Sequence, residues 1–485
     1  MTWSRTWRID DKAARARVAG GLRHWVSGAA TDVIYWIAPE SRKQGRNLPA
    51  CGMRPPMDAM NLSEPDLRKR WTRILPAVFI TYSLAYLDRA NYGFGAAAGL
   101  AQTLHISGYQ SSLLGALFFL GYCLPQIPGI ILVQRYSARL LIFAALVAWG
   151  GFAALTGVIR TYWLLALDRF LLGVAESFVF PALLIVLTRW FTRSERSRSN
   201  SLMLLANPVT VLWMSAVTGF LIRARGWQQA FILEGLVAVV WGGFWLALMR
   251  DRPKDAPWLS PAARADLEGV LDHEQRHLPQ IANFWIAFRQ PNVLRLSINY
   301  FFWSLGIYGF VLWLPLVIRN ATRAAMGTTG LIAALPYLVS VVVMIVISHY
   351  SDRSGQRRKY VWPLLMLGGV ALAGSFFSVD RSFPLAYACL IVAACCMYAP
   401  YGPFWAMVPE LLPRNVVGET MALINCIGAL GGFFGTWLVG VLQTYTGSSA
   451  AGFLLMSLSL ILAGGVLLRV KPSPETHLTL EAEAH

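Results

Sequence analysis

The sequence predicts an all-α integral membrane protein of twelve transmembrane helices in two pseudo-symmetric six-helix bundles. Three observations lead there. After Arg73 the chain alternates long apolar runs with short polar loops, and the runs reach the roughly 20 residues that a helix needs to cross a bilayer. Of the 485 residues 56% are hydrophobic and 14% charged, well below the charge of about 25% in soluble domains. Landmarks also recur at one spacing: Arg135 and Arg353 lie 218 positions apart, as do Asn207 and Asn425. A common offset at two independent places is the mark of a duplicated unit. Helices are preferred over a barrel because the apolar runs are continuous rather than alternating.

Residues 1–70 form a basic N-terminal extension with no long apolar run and are read as disordered. Val33–Ala38 is too short to span, and no h-region follows the early arginines, so no cleavable signal peptide is expected. The stretch also fits an over-extended start, with Met57 or Met60 as the natural first residue; N-terminal sequencing that found Met1 would exclude this.

The first bundle, 71–250, holds spans at approximately 74–98, 111–133, 139–158, 162–188, 200–222 and 229–249. A linker, 251–292, follows. Its Ser260–His277 reads as an amphipathic helix with Pro261 in the first turn. The second bundle, 293–472, holds spans at approximately 293–318, 329–349, 361–379, 383–408, 417–442 and 451–470, and a tail covers 473–485.

Charge sets the topology. With the N-terminus in the cytoplasm, the inner loops carry Arg68, Lys69, Arg70, Arg73, Arg135, Arg139, Arg189, Arg193, Arg196, Arg198, Arg353, Arg357, Arg358, Lys359 and Arg414. The outer loops carry Arg160, Arg223, Arg225, Arg319, Arg323 and Arg381. The excess follows the positive-inside rule, and twelve spans return the C-terminus to the same side, as in a multi-pass protein of the cell (inner) membrane. The net charge of +17 is thereby explained without nucleic acid. The six cysteines show no disulfide or metal spacing: five lie in apolar spans and read as buried and inert, and Cys51 is in the extension.

Span 1 contains Tyr86-Leu87-Asp88-Arg89-Ala90-Asn91, an acid, a base and an amide inside an apolar run. One Asp or Arg at mid-helix costs about 2.5–3.5 kcal/mol even on mild insertion scales, so such residues face a cavity or a partner. At about 1.5 Å per residue Asp88 lies roughly 21 Å in from the cytoplasmic end, and Arg169 of span 4 about 10 Å from the outer face. In a hydrocarbon core of about 30 Å these are similar levels, so Asp88 and Arg169 are expected to pair. Glu176 follows Arg169 two turns along the same face. A guanidinium stays charged and suits a carboxylate. Burial and a nearby guanidinium act in opposite senses on a carboxyl's proton affinity, so such an acid can change charge as the cavity changes access. These residues suggest proton-coupled anion transport: Arg89 holds the substrate carboxylate, Asp88 and Glu176 take up protons, and Arg169 pairs with the ionised acid. A static ion-pair network for helix packing is the competing reading.

The 218 offset turns Asp88 into Gly306, Arg169 into Tyr387 and Glu176 into Ala394, so the second half lacks the ionisable set. It offers neutral groups instead, Asn299, Tyr300, Tyr308, Trp313, Tyr337, Tyr398, Tyr401, Trp405 and Asn425, for shape and hydroxyl recognition. In the first half Tyr86 shares a face with Arg89, Tyr122 with Gln126, and Asn207 precedes Pro208, which frees backbone groups in span 5. Glu234 in span 6 has no evident role beyond capping or gating.

Several ordered motifs carry a family resemblance. Ser351-Asp352-Arg353-Ser354-Gly355-Gln356-Arg357-Arg358 resembles the loop motif D-R-x-G-R-[RK] of the major facilitator superfamily; the first-half copy departs from it at Gln134, where Asp is usual. YLDRAN, RFLLGVAES, GWQQAFILEGLVAV, DRPKDAPWLS and MALINCIGALGGFFG, with SDRSGQRR, resemble the superfamily's anion:cation symporters across residues 71–470. That family includes proton-coupled carriers of sugar acids, aromatic acids and other carboxylates. The resemblance implies coupling by Asp88 and Glu176 and anion binding by Arg89 and Arg169. It further implies substrate contacts by Tyr86, Tyr122, Asn207, Trp405 and Asn425, and a loop latch at Asp352 and Arg353.

The expected function is symport of a small organic anion with protons by alternating access, a sugar acid or a hydroxy or aromatic acid, by a monomer in the lipid bilayer. Exchange or export of related carboxylates is the alternative. No His-rich box, nucleophile-base spacing, metal-ligand cluster or G-x-x-x-x-G-K-[ST] loop is present, so neither an enzyme nor a cofactor nor ATP-driven pumping is expected. With no soluble terminal domain, a sensor is not expected either.

Overall fold

The computed structural model describes residues 64–470 apart from 127, 130, 131, 133–135, 277–289, 379–380, 412–416 and 447–449. The extension 1–63, the tail 473–485, Gln134, Arg135 and Arg414 lie outside the described residues.

The described regular structure is helical, as a chain in hydrocarbon requires when its backbone has no water to bond. Span 1 is Glu64–Ala97, span 2 Gly108–Cys123 and span 3 Ala138–Thr156. Span 4 is Tyr162–Glu176 followed by Val179–Trp190. Arg193–Leu204 leads into Ala206–Leu248, which carries spans 5 and 6. The linker helix is Pro261–Arg276. Spans 7, 8 and 9 are Pro291–Thr322, Met326–Ser354 and Trp362–Ser378. Span 10 is Phe383–Tyr398 followed by Tyr401–Leu411, and spans 11 and 12 are Val417–Thr446 and Ala450–Leu467.

Nine described stretches are long and apolar enough to cross a membrane by length and composition alone. One of them, Arg198–Leu248, holds two crossings, because the chain turns at Gly226 (φ 82°, ψ 165°). That conformation is open to glycine, which has no Cβ to clash. Span 1, made less apolar by Asp88, Arg89 and Asn91, and span 2 complete the twelve. Side chains start several spans. Ser107 and Gln110 form a capping box at span 2, Ser137 caps span 3, and Thr192 and Glu195 box the helix leading into span 5. Such caps are worth about 1 kcal/mol each.

Spans 4 and 10 are both interrupted. In each, a proline is the third residue of the second segment, Pro181 or Pro403, and its ring conflicts with the carbonyl four residues back. The two first segments end at Glu176 and Tyr398, so the repeat register here is 222 rather than 218. The second-half counterpart of Glu176 is therefore Tyr398, not the expected Ala394, and that of Arg169 is Ile391, not Tyr387.

Across the halves, span 2 packs on span 11, span 5 on span 8 and span 1 on span 7. At the end away from Arg70 these crossings are tight. A Cβ on Gly219 would sit 2.7 Å from the Met326 carbonyl oxygen, one on Gly330 would strike the Ser215 carbonyl, and one on Gly440 would strike the Ser112 hydroxyl. Glycine lets these backbones approach, as at helix interfaces in membranes generally.

The opposite end, which holds Arg70, Arg139, Arg189 and Arg358, is the basic end. Arg70 donates to the Trp190 carbonyl at 3.0 Å and pairs with Glu195. Trp190 stacks on Trp258 of the linker at 5.4 Å, and Ser260 donates to Asp66 at 2.9 Å, so the linker is fastened to the first half. Arg139 bonds the carbonyl of Leu246 at the end of span 6, and Arg358 bonds those of Leu468 and Val470 at the end of span 12. The duplicated loops thus make duplicated anchors. Asp352 pairs with Arg357 at 2.6 Å, while Arg353 is exposed. In the first half Asp251 accepts from Ser137 and from the Arg139 backbone and lies 3.5 Å from Arg189. It supplies from the end of span 6 an acid at the start of span 3.

The cysteine expectation needs correction. Cys123 of span 2 and Cys426 of span 11 are paired as a disulfide, with Cα atoms 4.7 Å apart, a separation that suits such a bond. They are 303 residues apart, so no sequence spacing announces them; the packing of the two halves does.

Candidate functional site

The charged residues of spans 1 and 4 meet in the middle of the first half, in a pairing other than the expected one. Arg89 Nε donates to Glu176 Oε1 at 2.7 Å, and Nη2 donates to the same oxygen. Asp88 makes no described ion pair, although the charges of Glu176, Glu234, Arg169 and Arg89 act on it. The reason is helical geometry: adjacent residues project about 100° apart, so Asp88 and Arg89 cannot both face span 4. Arg89 takes that face, and Glu176, two turns from Arg169, lies within its reach.

Arg169 makes no ion pair among the described residues. It is 1% exposed, its Nε has no hydrogen-bond partner, and its guanidinium lies over the rings of Tyr92 at 5.0 Å and Phe118 at 5.6 Å. Arg89 rests over Tyr122 at 4.3 Å and Tyr86 at 5.8 Å. Aromatic faces offer such cations partial compensation but no carboxylate.

Several buried polar atoms of the first half lack partners. Both amide atoms of Gln126 lack partners, as do Asn207 Oδ1, Glu176 Oε2 and Asn91 Oδ1. Unsatisfied groups of this kind are costly and rare in folded proteins, and they are satisfied where a ligand or water reaches them. Gln126 is the strongest sequence-suggested addition, since its neighbour by face, Tyr122, already touches Arg89.

The second half contributes rings. Tyr86 and Tyr398 hydroxyls are 3.4 Å apart across the halves, and Tyr86 and Tyr308 rings lie 6.5 Å apart. Trp405 is edge-on to Tyr300 at 5.3 Å and reaches Phe180 of span 4 at 6.1 Å, which closes the cluster toward the basic end. Asn425 is partly buried beside Cys426. Asn299 does not join the cluster: its amide donates to the Ala463 carbonyl at 2.6 Å, so it serves packing within the second half. Trp303 does likewise through Met397, and Tyr387 through Ile332. Trp313 lines a pocket of about 310 Å³ at the end away from Arg70, with Ser112, Thr436, Gln443 and Tyr92, the ring on which Arg169 rests.

One acid, Asp168, escaped the sequence reading, and another, Glu234, was given no role beyond capping or gating. Asp168 is 4% exposed and accepts from Thr156 at 2.7 Å. A signal was present, since Leu167-Asp168-Arg169 repeats the Leu87-Asp88-Arg89 pattern of span 1. Glu234 accepts from Asn91 at 2.9 Å and from Thr218. It is thus bonded to the YLDRAN stretch itself.

A helical membrane protein built of two repeated bundles, with ionisable side chains gathered in the membrane interior, has the plan of a secondary transporter. The sequence matches the Major Facilitator Superfamily profile over residues 78–436 and again over 324–484. The chain belongs to the major facilitator superfamily, which bears out the resemblance carried by its motifs. It is 30% identical over 427 residues, 86% of this chain and 94% of its relative, to an Agrobacterium vitis protein named a tartrate transporter. It is also 30% identical over 418 residues, 84% of this chain and 95% of its relative, to a quinolone resistance transporter of Acinetobacter baumannii. Among solved structures, a bacterial homolog of the human lysosomal transporter Spinster aligns in two inward-facing conformations. The unoccupied one gives a TM-score of 0.64 at 17% identity and the occupied one 0.67 at 15%, each covering 85% of this chain and 100% of that one. At that identity the likeness speaks for the fold alone.

Proposed function

We propose that this transporter carries a small hydroxylated carboxylate together with protons into the cell, with the basic end and both termini on the cytoplasmic side. The observation that supports this best is the unequal state of two buried bases: Arg89 is held by Glu176, and Arg169 is held by no acid. An arriving carboxylate finds Arg169 available. It takes Arg89 as well once Glu176 is protonated and lets go. One carboxylate then replaces another on the guanidinium, and the proton left on Glu176 travels with the anion. Asp88 serves as the second proton carrier. Tyr86, Tyr122, Gln126, Asn207, Trp405 and Asn425 supply ring faces and neutral donors and acceptors around the charge, which favours an anion that bears hydroxyls. The relative named for tartrate agrees with that chemistry. The ligand needs no cofactor, and one chain carries the whole site.

The test is uptake of radiolabelled L-tartrate by proteoliposomes holding the purified full-length protein. A pH gradient, acid outside, is expected to drive accumulation that a protonophore abolishes. The relative named for quinolone resistance supports a second reading, outward transport or exchange. Exchange that proceeds at full rate without a gradient, with no accumulation under one, supports that second reading and overturns the first.

A further inference from the structure

We infer that Glu234 of span 6 is a third proton-carrying carboxylate, coupled to Asp88 and placed on its route from the outer face. The inference deepens the proton-symport reading and rests on it. Glu234 is 7% exposed and makes no described ion pair. Its two oxygens accept from neutral donors, Asn91 Nδ2 at 2.9 Å on one and the Thr218 hydroxyl on the other. In this it differs from Glu176, which rests on a guanidinium. A buried carboxylate without a cation is expensive when ionised, and the inexpensive state is the one that carries a proton.

Position supplies the second argument. Span 6 begins beside Gly226, so Glu234 lies about 12 Å along it at 1.5 Å per residue. Asn91 is three residues beyond Asp88 toward that same end of the bundle, on one helix face. Asn91 is fully buried, gives its Nδ2 to Glu234, and keeps its Oδ1 without a partner. Glu234 therefore stands between Asp88 and the end that the topology places outside, and one amide connects it to the helix turn of Asp88. Of the carboxyl groups on the helices packed against it, Asp88 is the one on which the charge of Glu234 acts. Span 3 has no charged residue beyond Arg139 at the basic end, and span 5 brings Thr218, with Arg223 and Arg225 exposed at the outer end.

The step balances simply. A proton from outer water makes an O–H bond on Glu234. That bond breaks as an O–H bond forms on Asp88, which later releases the proton to water at the basic end. No redox partner or leaving group takes part.

The experiment compares wild type, E234Q and E234D in proteoliposomes, with L-tartrate as probe. Three readouts are taken: gradient-driven accumulation, exchange of internal for external tartrate, and lumenal acidification followed by a trapped dye. E234Q is expected to lose about tenfold in accumulation and acidification while exchange stays within about twofold, and E234D is expected to recover most of the loss with a displaced pH profile. E234Q that accumulates tartrate and acidifies the lumen like wild type overturns the inference and leaves the symport reading standing. Loss of exchange and accumulation together in E234Q, with an unchanged pH profile in E234D, makes Glu234 a packing residue and also overturns it. If E234Q does not fold, the E234D profile decides in the same way. Wild type that exchanges tartrate but never accumulates it removes the symport reading and this inference with it, a result recognisable because it does not depend on position 234.

Discussion

The two halves share a backbone plan and differ in chemistry. Interrupted helices stand at matching places in spans 4 and 10, and loop arginines grip the ends of spans 6 and 12 alike. Yet Glu176, bonded to Arg89, corresponds to Tyr398, whose hydroxyl faces Tyr86. Where the first half holds a charge that needs a partner, the second holds a ring that needs none. The difference teaches that a duplicated backbone can keep its plan while its chemistry diverges. Buried charges gather in one half and rings in the other.

That division can be broken from either side. The largest effect is expected at Arg169, the buried base with no acid on it. R169A should weaken L-tartrate binding on the order of 100-fold, as loss of a desolvated charge partner does, measured by calorimetry on purified protein. R169K should recover part of this but not all, because lysine lacks the planar fork. Unchanged affinity in R169A would move the anion site elsewhere.

A second, mechanical test addresses the shared plan rather than the divided chemistry. The span 5 and span 8 backbones meet at Gly219, where even a Cβ comes within 2.7 Å of the Met326 carbonyl. G219V should cost about 1–3 kcal/mol through overpacking and lower the thermal midpoint of the detergent-solubilised protein. A midpoint equal to wild type would show that the halves do not pack this closely.

The smallest effects belong to the second half. Y398F removes one hydroxyl 3.4 Å from Tyr86, and N425A removes one amide from a partly buried position. Each should raise KM about two- to tenfold, the scale of one hydrogen bond, and leave the dependence on the pH gradient intact. A change in gradient dependence from Y398F would give the second half a share in coupling.

The twelve spans and the polar stretch of span 1 were legible because hydrocarbon punishes both charge and unpaired backbone, so their pattern is written in composition. The buried charges of the candidate site could be named from sequence, but their connections could not. Depth along a helix placed Asp88 level with Arg169, but direction around the helix gave span 4 to Arg89 instead. Asp168 was available as a second Leu-Asp-Arg in the sequence and was not used. Glu234 could not be connected to Asn91 from sequence, since 143 residues separate them and only the packing of span 6 on span 1 brings them together. The Cys123–Cys426 pair and the 222 register are of the same kind, set by how helices meet rather than by any local pattern.

The central claim is that Glu176 and the substrate carboxylate exchange places on Arg89, with a proton left on Glu176. It is tested most directly by measuring lumenal acidification together with L-tartrate entry in proteoliposomes, for wild type and E176Q. The account predicts that wild type brings in protons with tartrate. It predicts that E176Q, whose neutral amide leaves the Arg89 cation without an acid partner, exchanges tartrate but loses most of the acidification and of the accumulation. Protons that still enter with tartrate in E176Q at the wild-type ratio would contradict it.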